Sequence, residues 1–365
     1  MKNIFWVVGD ESGDLHVAHI LAELNKQKKL HHFGIGGSLM QKENFESIYP
    51  FDKFTVMGFF EVIQHLPFFL KVEKKIEEIF IQNPPDLVIL VDYPGLNLRV
   101  AKIAKRLGLK VIYYISPQFW AWKYKRIDKL KRLTDHVIAI LPFEKDIFDK
   151  ENVKSTYVGH PIAEEIRCKL TKAEFAQKYK LDFNKKWIGF LPGSRKTEIK
   201  KMLPLYLDAI QYFNSEDFEF IVSHKQIQSD FQKIENITYI KSDTYELMKH
   251  SKLLAVTSGT ATLETAYLGT PFIIVYKTSK ISYLIGKKFI KIDKIGLPNI
   301  ILDKIVIPEL IQEKANGKNI AANLKKFLEN ESYQNEVSEQ LQKIHKILGK
   351  KSASKETARI ILEYI

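Results

Sequence analysis

Five short segments of the chain carry residue types that could bind a ligand or transfer a proton. Each follows an apolar run and precedes a stretch with helical periodicity. In sheets of parallel strands, ligands bind at this position, beyond the carboxyl end of a strand and at the start of the following helix. The segments span residues 9–14, 92–97, 116–122, 192–198 and 257–264.

The first segment is acidic, and its sequence is Gly9-Asp10-Glu11-Ser12-Gly13-Asp14. Its two glycines allow a tight turn close to a ligand, and Ser12 or Asp14 could cap the next helix. The spacing differs from the dinucleotide fingerprint G-x-G-x-x-G and from the hydrolase motif G-x-S-x-G. Because three carboxylates would repel a pyrophosphate, we expect either an uncharged, hydroxyl-rich ligand or only a capped turn.

The segment at 92–97 places one carboxylate, Asp92, directly after the apolar run Leu87–Val91. Aspartate is rare in strands, and partial burial here would raise its pKa toward the range of a general base. The alternative is a loop aspartate that caps the following helix. The residue type and its position leave both interpretations open.

The segment at 192–198 is basic, and its sequence is Pro192-Gly193-Ser194-Arg195-Lys196-Thr197-Glu198. Backbone N–H groups of Gly193 and Ser194 at a helix start, together with the Arg195 guanidinium, could hold phosphate oxygens. The Walker pattern is absent. The segment therefore predicts a phosphate-binding loop, with simple helix capping as the alternative.

The last segment combines small hydroxylated residues with a glycine, in the order Thr257-Ser258-Gly259-Thr260-Ala261-Thr262-Leu263-Glu264. Its amides, hydroxyls and helix dipole predict an anion cradle. Glu264 lies about one turn further along, where it could accept hydrogen bonds from a ribose diol. Two cradles in the second half, and a carboxylate with an acidic loop in the first, predict a nucleotide-sugar site between two domains.

Alternating strands and helices must position these segments. Short apolar runs rich in β-branched and aromatic residues predict buried parallel strands, and amphipathic stretches predict helices between them. In the first half the strands are Ile4–Val8, Leu87–Val91, Val111–Ile115 and Val137–Leu141, and the helices include Leu15–Asn25, Leu70–Ile81 and Leu96–Leu107.

The same alternation resumes in the second half, after a break around residues 160–170. Strands are predicted at Trp187–Leu191, Phe218–Val222, Leu253–Val256 and Phe272–Tyr276. From about residue 318 the chain is helical, polar and lysine-rich. We therefore predict an α/β protein with two successive doubly wound halves.

Length and composition exclude several classes of protein. At roughly 150 residues per domain, 365 residues indicate two domains, and 45% apolar with 27% charged residues is typical of globular proteins. The single cysteine, Cys168, excludes an intrachain disulfide framework and a cysteine-cluster metal site. No apolar run of about 18 residues and no signal-like opening segment is present, so we expect a cytoplasmic location.

The formal net charge of +13 points to anionic partners. Nucleic acid, an anionic membrane or phosphorylated substrates would fit, and lysines on solvated faces are the alternative. A nucleic-acid-binding protein is a rival of a different class, but the common recognition motifs are absent. We expect no nucleic-acid partner.

Short segments that occur in one order along nearly the whole chain resemble the lipid-A-disaccharide synthase family. No single segment is specific, but their number and order are. They are Gly9–Asp14, Val56–Gly58, Ser116-Pro117 with Trp120–Trp122, Leu141–Glu144, Gly159–Pro161, Leu191–Arg195, Ser258–Glu264 and Leu297–Asn299.

The family is similar to metal-independent inverting glycosyltransferases of the GT-B type. The resemblance implies two Rossmann-like domains that face each other across a cleft, with the C-terminal helix packing back on the N-terminal domain. It implies an acceptor- and membrane-facing domain at 1–165 with the last helix at about 345–365, and a UDP-sugar-binding domain at 166–344. It also implies that neither a cofactor nor a metal is used.

The resemblance also carries roles to individual residues. Asp92 would be the general base, with Asp10 as a second catalytic carboxylate. Asp10 replaces the usual glutamate and is one methylene shorter; Gly95 stands where the family often has a second acid, so the base role falls on Asp92. UDP would contact Gly193, Ser194, Arg195, Ser258, Gly259, Thr260, Ala261, Thr262, Glu264 and Asn299, and the acceptor loop would include Ser12, Gly13 and Asp14.

An aromatic stretch followed by lysines predicts peripheral membrane contact. Phe59, Phe60, Phe68 and Phe69 precede Lys71, Lys74 and Lys75, which suits an anionic surface and capture of acyl chains. An ordinary buried helix is the alternative. Together with the family's acylated substrates, this predicts attachment to the inner face of the inner membrane.

The implied reaction joins two acylated sugars. UDP-2,3-diacylglucosamine would donate its sugar to 2,3-diacylglucosamine 1-phosphate, and the products would be the β-1′,6-linked lipid A disaccharide 1-phosphate and UDP. A glycosyltransferase of cell-wall precursors and a UDP-GlcNAc epimerase are rivals with the same fold. A homodimer is left open.

Overall fold

The computed structural model describes residues 1–55, 66–117, 119–122, 124, 126–214, 216–224, 236–279, 294–349 and 351–365. The chain divides into two compact units. Unit 1 comprises Met1–Pro161 and Lys350–Ile365, and unit 2 comprises Ile162–Gly349. The units therefore meet at 161/162 and 349/350, whereas the boundaries that the resemblance implies are 165/166 and about 345.

Unit 1 alternates strands with helices. Its strands are β1 (Lys2–Val8), β2 (Leu30–Ile35), β3 (Phe45–Ser47), β4 (Leu87–Val91), β5 (Val111–Tyr114), β6 (His136–Ala139) and β7 (Ser155–Tyr157). Its helices are α1 (Glu11–Gln27), α2 (Ser38–Gln41), α3 (Asp52–Thr55), α4 (Leu66–Gln82), α5 (Pro94–Arg106), α6 (Phe119–Trp122), α7 (Arg126–Leu133), α8 (Pro142–Lys150) and, near the C-terminus, α17 (Ala353–Glu363).

The seven strands of unit 1 form one parallel sheet in the order β3-β2-β1-β4-β5-β6-β7. The sheet grows outward from β1 in one direction and then from β4 in the other. This reversal is the switch point at which doubly wound folds bind ligands. Val8 pairs with Val91 in the register of β1 and β4, so the loops that follow these two strands are neighbours.

The C-terminal helix completes unit 1, as the resemblance implies. Helix α17 packs against α1. Beyond its end, the Tyr364 hydroxyl donates to the Asp135 carbonyl and lies 3.2 Å from Nδ1 of His136. Lys110 Nζ also donates to the Tyr364 carbonyl at 2.7 Å. The last residues of the chain are therefore tied to the amino-terminal sheet.

Unit 2 repeats the alternation. Its strands are β8 (Lys186–Leu191), β9 (Phe218–Ser223), β10 (Ile237–Ile240), β11 (Leu253–Thr257), β12 (Phe272–Tyr276) and β13 (Glu309–Ile311). Its α-helices are α9 (Ile162–Glu165), α10 (Lys172–Tyr179), α11 (Lys196–Ile210), α12 (Thr244–His250), α13 (Thr260–Leu268), α14 (Leu297–Ile301), α15 (Gly317–Glu329) and α16 (Glu331–Leu348).

The sheet of unit 2 is also parallel, in the order β10-β9-β8-β11-β12-β13. Its switch point lies between β8 and β11, where Leu191 pairs with Val256. The basic loop and the hydroxyl-rich loop therefore begin side by side. Two doubly wound, Rossmann-like units confirm the predicted fold class.

The sequence patterns miss five strands of the two sheets, β2, β3, β7, β10 and β13, and four of these omissions have a physical cause. Three of them, β3, β7 and β13, have only three residues, which is too short for a periodic signal. Strand β2 contains two histidines, which interrupt the apolar run by which a buried strand is predicted. His32 is buried, accepts a hydrogen bond from Trp6 Nε1 at 3.2 Å, and burial lowers its pKa to about 4, so the ring is neutral.

The predicted membrane patch is only partly described, and Phe69 does not belong to it. Phe59 and Phe60 lie outside the described residues. Phe69 is 6% exposed and packs against Phe54 and Tyr93 in the core of unit 1, so its prediction as a surface residue is wrong. The cause is helical periodicity: on α4 the residues Phe69, Val72, Ile76 and Phe80 share the buried face.

Phe68 lies at the edge of the same core. It is half-buried and its ring contacts Phe54 and Tyr49. Leu70, the next residue after Phe69, is 51% exposed. In the described part of the chain, no helix is long and apolar enough to cross a membrane.

We expect Phe69→Ala to destabilise unit 1 by roughly 3–5 kcal/mol, because the substitution leaves a cavity in a packed aromatic cluster. Leu70→Ala on the same helix is the matched control and should change stability by less than about 0.5 kcal/mol. Thermal unfolding followed by calorimetry measures both. Equal losses in the two variants would contradict the placement of Phe69 in the core.

Candidate active site

The two predicted loops of unit 1 meet where β1 and β4 end. The loop after β4 passes directly over the loop after β1. A β-carbon added to Gly9 would lie 2.3 Å from the ring of Tyr93, which is far inside van der Waals contact. Gly9 is therefore required because only a residue without a side chain fits beneath Tyr93.

Asp10 is the residue that caps α1, where the sequence indicated Ser12 or Asp14. Its Oδ1 accepts a hydrogen bond from the Gly13 amide at 2.8 Å, and its carbonyl accepts one from the Asp14 amide. Burial raises the pKa of both Asp92 and Tyr93, and the negative charge of the Asp10 carboxylate raises both further. Asp10 thus combines a structural role with an electrostatic effect on its neighbours.

The backbone at Asp92 adopts an uncommon conformation that its surroundings hold in place. Asp92 and Tyr93 both have left-handed φ angles, 42° and 45°. The Asp92 carbonyl accepts hydrogen bonds from the Tyr113 hydroxyl at 2.6 Å and from Asn97 Nδ2 at 2.8 Å. Asn97 Nδ2 also donates to the Val91 carbonyl at 2.9 Å. Strained backbone of this kind persists only where neighbours over-determine it, and it is concentrated at functional sites.

The pKa of the Asp92 carboxyl lies near neutral pH. Burial is the largest cause and the negative charge of Asp10 the second; together they raise the pKa of Asp92 to about 7. A hydrogen bond from the Tyr93 backbone and the charge of His16 oppose this rise. A carboxylate with such a pKa can accept a proton efficiently near neutral pH.

The charge of His16 acts on Asp92 and on a second histidine, His160, and the sequence patterns alone do not single out either histidine as a site residue. His16 lies on α1 and His160 follows β7; both are buried. Burial, and then the charge of His16, lower the pKa of His160 to about 3, so its ring stays neutral. The segment Gly159–Pro161 was the available signal for His160. Within the described ranges, no three His, Cys, Asp or Glu side chains form a group that could hold a metal ion.

Asp14 has a structural role, and its prediction as an acceptor residue is wrong. It is 4% exposed, and its carboxylate accepts hydrogen bonds from the amides of Gly37, Leu39 and Met40 at 2.9–3.1 Å. These amides are at the start of α2, so Asp14 ties α1 to that helix. Ser12 is exposed and Gly13 is buried beside it; their contact with an acceptor stays a prediction.

A buried carboxylate organises the loop after β5, the strand next to β4. Glu144 Oε1 accepts hydrogen bonds from the Ser116 hydroxyl at 2.9 Å and from Trp120 Nε1 at 3.2 Å. Burial raises the pKa of Glu144 to about 7, against the effect of these donors. Glu144 thereby fixes the segment that leads into α6 at the same edge of the sheet as Asp92.

In unit 2 the basic loop only partly matches its prediction. The amides of Ser194 and Arg195 both donate to Glu198 Oε2, at 3.2 and 3.3 Å, so they cap α11 instead of presenting an open anion cradle. Gly193 has a φ of 107°, which favours glycine. The Arg195 side chain is 71% exposed and approaches Glu198 only to 3.5 Å. The guanidinium is thus one of the groups that this loop presents to solvent.

The hydroxyl-rich loop leads directly into α13, which begins at Thr260. Gly259 and Thr260 are exposed and Ser258 and Ala261 half-buried, as an anion site at a helix N-terminus requires. Thr262 is different. It is fully buried and its hydroxyl donates to the Gly259 carbonyl at 2.7 Å, so its prediction as a UDP ligand is wrong.

Asn299 also serves the fold and not a ligand. It is 0% exposed, and its Nδ2 donates to the Ile307 carbonyl and to Glu309, both at 2.8 Å. Its Oδ1 accepts hydrogen bonds from the amides of Val306 and Ile307 at 2.9 Å. Because every hydrogen-bonding position of the side chain is used inside unit 2, the prediction that Asn299 contacts UDP is wrong.

Glu264 occupies the position that its spacing predicted, in the second turn of α13. It is half-buried, and Oε1 accepts a hydrogen bond from the Tyr245 hydroxyl at 3.1 Å. The sequence does not predict its pairing with Tyr245, because Tyr245 lies on α12, nineteen residues earlier in the chain.

Solved structures support the fold assignment at low sequence identity. The UDP-GlcNAc 2-epimerase of Neisseria meningitidis, bound to UDP-GlcNAc, is similar with a TM-score of 0.67, 14% identity and full coverage of both chains. The calicheamicin glycosyltransferase CalG4 has a TM-score of 0.63 at 11% identity, and the match covers 100% of this chain and 98% of that one. Both are consistent with a GT-B architecture.

Sequence comparison is more specific. The family model described as Lipid-A-disaccharide synthetase matches residues 4–363. The lipid-A-disaccharide synthase of Persephonella marina is 37% identical over 382 residues, covering 100% of this chain and 99% of the relative. That of Trichlorobacter lovleyi is 34% identical over 374 residues, with 100% and 98% covered. The chain therefore belongs to the lipid-A-disaccharide synthase family and is a glycosyltransferase of lipid A biosynthesis.

Proposed function

We propose that this enzyme transfers the sugar of UDP-2,3-diacylglucosamine to the 6-hydroxyl of 2,3-diacylglucosamine 1-phosphate. The products are the β-1′,6-linked lipid A disaccharide 1-phosphate and UDP. The observation that carries the mechanism is Asp92, a carboxyl with its pKa raised to about 7 at the switch point of unit 1. Family membership supports the substrate class.

In the proposed reaction Asp92 takes the proton of the acceptor hydroxyl. The hydroxyl oxygen forms a bond to the anomeric carbon while the bond from that carbon to the UDP oxygen breaks. A single displacement of this kind inverts the configuration and needs no covalent enzyme intermediate. The rigid backbone around Asp92 supports this role, because a general base must be held within hydrogen-bond reach of its proton.

Unit 2 would bind UDP and stabilise its departure. The exposed Arg195 guanidinium and the start of α13 provide positive charge and helix dipole for the two phosphates. Gly193, Ser194, Ser258, Gly259, Thr260 and Ala261 would line the diphosphate, and Glu264 would accept hydrogen bonds from the ribose. No metal enters this proposal, because charge on the leaving group is balanced by these groups.

We also propose that the enzyme contacts the anionic inner face of the inner membrane, where acylated substrates reside. Support comes from the net charge of +13 and from α4, on which Leu70, Lys71, Lys74 and Lys75 are exposed. The contact would be peripheral and would weaken at high salt.

We expect Asp92→Asn to lower turnover by about 10²–10⁴-fold while UDP affinity is retained. Because burial and Asp10 disfavour the charged carboxylate, the neutral amide should not lower the melting temperature at pH 8. Single-turnover rates with the diacylated donor and acceptor, together with UDP titration, measure this. Asp14→Asn is the matched control, since it should destabilise α2 instead. Near-parental turnover in folded Asp92→Asn protein would end the assignment.

The pH dependence of kcat/KM provides a second test. Asp92 acts only when deprotonated, so kcat/KM should rise with pH through about 7, well above the ordinary pKa of 3.8. Asp10→Asn removes a negative charge and keeps the cap, so the rise should move to lower pH. Asp86→Asn is the control. Asp86 directly precedes β4, at the opposite end of the strand from Asp92, so this substitution should leave the profile unchanged. A profile that is the same in Asp10→Asn would contradict the coupling.

Arg195→Ala should weaken UDP binding by about ten- to a hundred-fold, since a hydrogen bond to a charged group contributes roughly 1.5–3 kcal/mol. Lys196→Ala, an exposed lysine next to it, should change affinity little. Isothermal titration calorimetry with UDP measures both variants. Unchanged affinity in Arg195→Ala would remove this residue from the diphosphate site.

A further inference from the structure

The contact between Tyr245 and Glu264 joins two helices of unit 2 at the edge of the proposed UDP site. Tyr245 lies in the first turn of α12, and Glu264 lies in the second turn of α13. The two helices pack together, and the Tyr245 hydroxyl donates to Glu264 Oε1 at 3.1 Å. Both side chains are half-buried, so the bond is partly shielded from water.

Tyr245 is held rigidly on its own helix. Its ring packs against the core of unit 2, and its carbonyl accepts a hydrogen bond from the Cys168 thiol at 3.6 Å. The next residue, Glu246, is buried and accepts a hydrogen bond from the Lys169 amide at 2.7 Å. These contacts anchor α12 to the segment at 168–170, so the hydroxyl of Tyr245 is a fixed donor.

The Tyr245 hydroxyl remains a donor across the working pH range. Burial is the largest cause that raises its pKa, followed by the charge of Glu264 and its hydrogen bond to that residue, and then by the charge of Glu165. A carboxylate offers about four lone-pair positions, and the bond from Tyr245 uses one of them. A glutamate side chain that a ligand must order loses rotamer freedom on binding, so a carboxylate oriented in advance binds the ligand more tightly.

We propose that Tyr245 is a positioning residue, which orients the Glu264 carboxylate in advance for the ribose hydroxyls of a uridine nucleotide. This inference rests on the proposed function, which assigns UDP to unit 2. Tyr245 would not touch the nucleotide itself. It would increase affinity only for ligands that carry the ribose diol, because Glu264 is the group through which it acts.

The test compares UDP with 2′,3′-dideoxy-UDP on the full-length protein by titration calorimetry. The parent should prefer UDP by about tenfold or more, since the carboxylate loses its partners in the dideoxy compound. Tyr245→Phe should weaken UDP binding by about three- to tenfold and leave the dideoxy affinity within about twofold. In a Glu264→Gln background the same substitution should have no further effect.

Tyr179→Phe is the matched control. Tyr179 also donates to a carboxylate of unit 2, that of Asp243 at the start of α12, at 2.7 Å. Its removal should change the stability of α12 but not the preference for UDP. Thermal unfolding of both tyrosine variants shows whether they lose comparable stability.

Two results would overturn the inference while the proposed function stands. These are a Tyr245→Phe protein with the parental preference for UDP, and one that loses affinity for UDP and dideoxy-UDP equally, as a general structural defect would. If the parent fails to bind UDP, or Glu264→Gln leaves its affinity for UDP unchanged, the proposed UDP site itself is wrong and the inference falls with it.

Discussion

In each unit, the first and fourth strands along the chain pair side by side, β1 with β4 and β8 with β11. Both candidate sites depend on this parallel pairing. Val8 beside Val91, and Leu191 beside Val256, bring together loops that are far apart in sequence. Each of these pairs of strands lies where the strand order reverses. The chain therefore leaves the two strands toward opposite edges of the sheet, and space remains beyond the strand ends. The two loops that carry carboxylates in unit 1 are neighbours because of this strand pairing. The same holds in unit 2 for the basic loop and the hydroxyl-rich loop.

Asp92 shows how a fold can hold a group in an unfavourable state. Its left-handed backbone, its burial and its proximity to Asp10 all cost stability. The cost is offset by hydrogen bonds from Tyr113 and Asn97 to its carbonyl, and by the packing of the β4 strand. Acidic residues elsewhere in unit 1, such as Asp14, are instead stabilised by backbone amides. The contrast distinguishes a carboxylate kept reactive from one that serves the fold.

Buried polar side chains shape the loops around both sites. Asn97, Glu144 and Asn299 each hold backbone or side-chain groups from segments outside their own helices. Such groups are costly to bury unless they are hydrogen-bonded, and they specify one loop conformation when they are. They resemble ligand-binding residues in sequence, because the same donors and acceptors would serve either purpose. Tyr245 and Glu264 differ from them in being partly exposed, and Glu264 lies on α13 itself.

The sequence by itself determined the class of fold and the positions of the main loops. Short continuous apolar runs rich in β-branched residues favour buried strands, and Leu87–Val91 and Phe272–Tyr276 match the structure residue for residue. It also singled out Asp92, because a carboxylate directly after a buried strand is unusual. Tertiary structure decided which polar groups are already satisfied, as in Asn299 and Thr262, and placed His16 where its charge acts on both Asp92 and His160. Burial and hydrogen-bond partners come from residues distant along the chain, and local patterns carry no information about them.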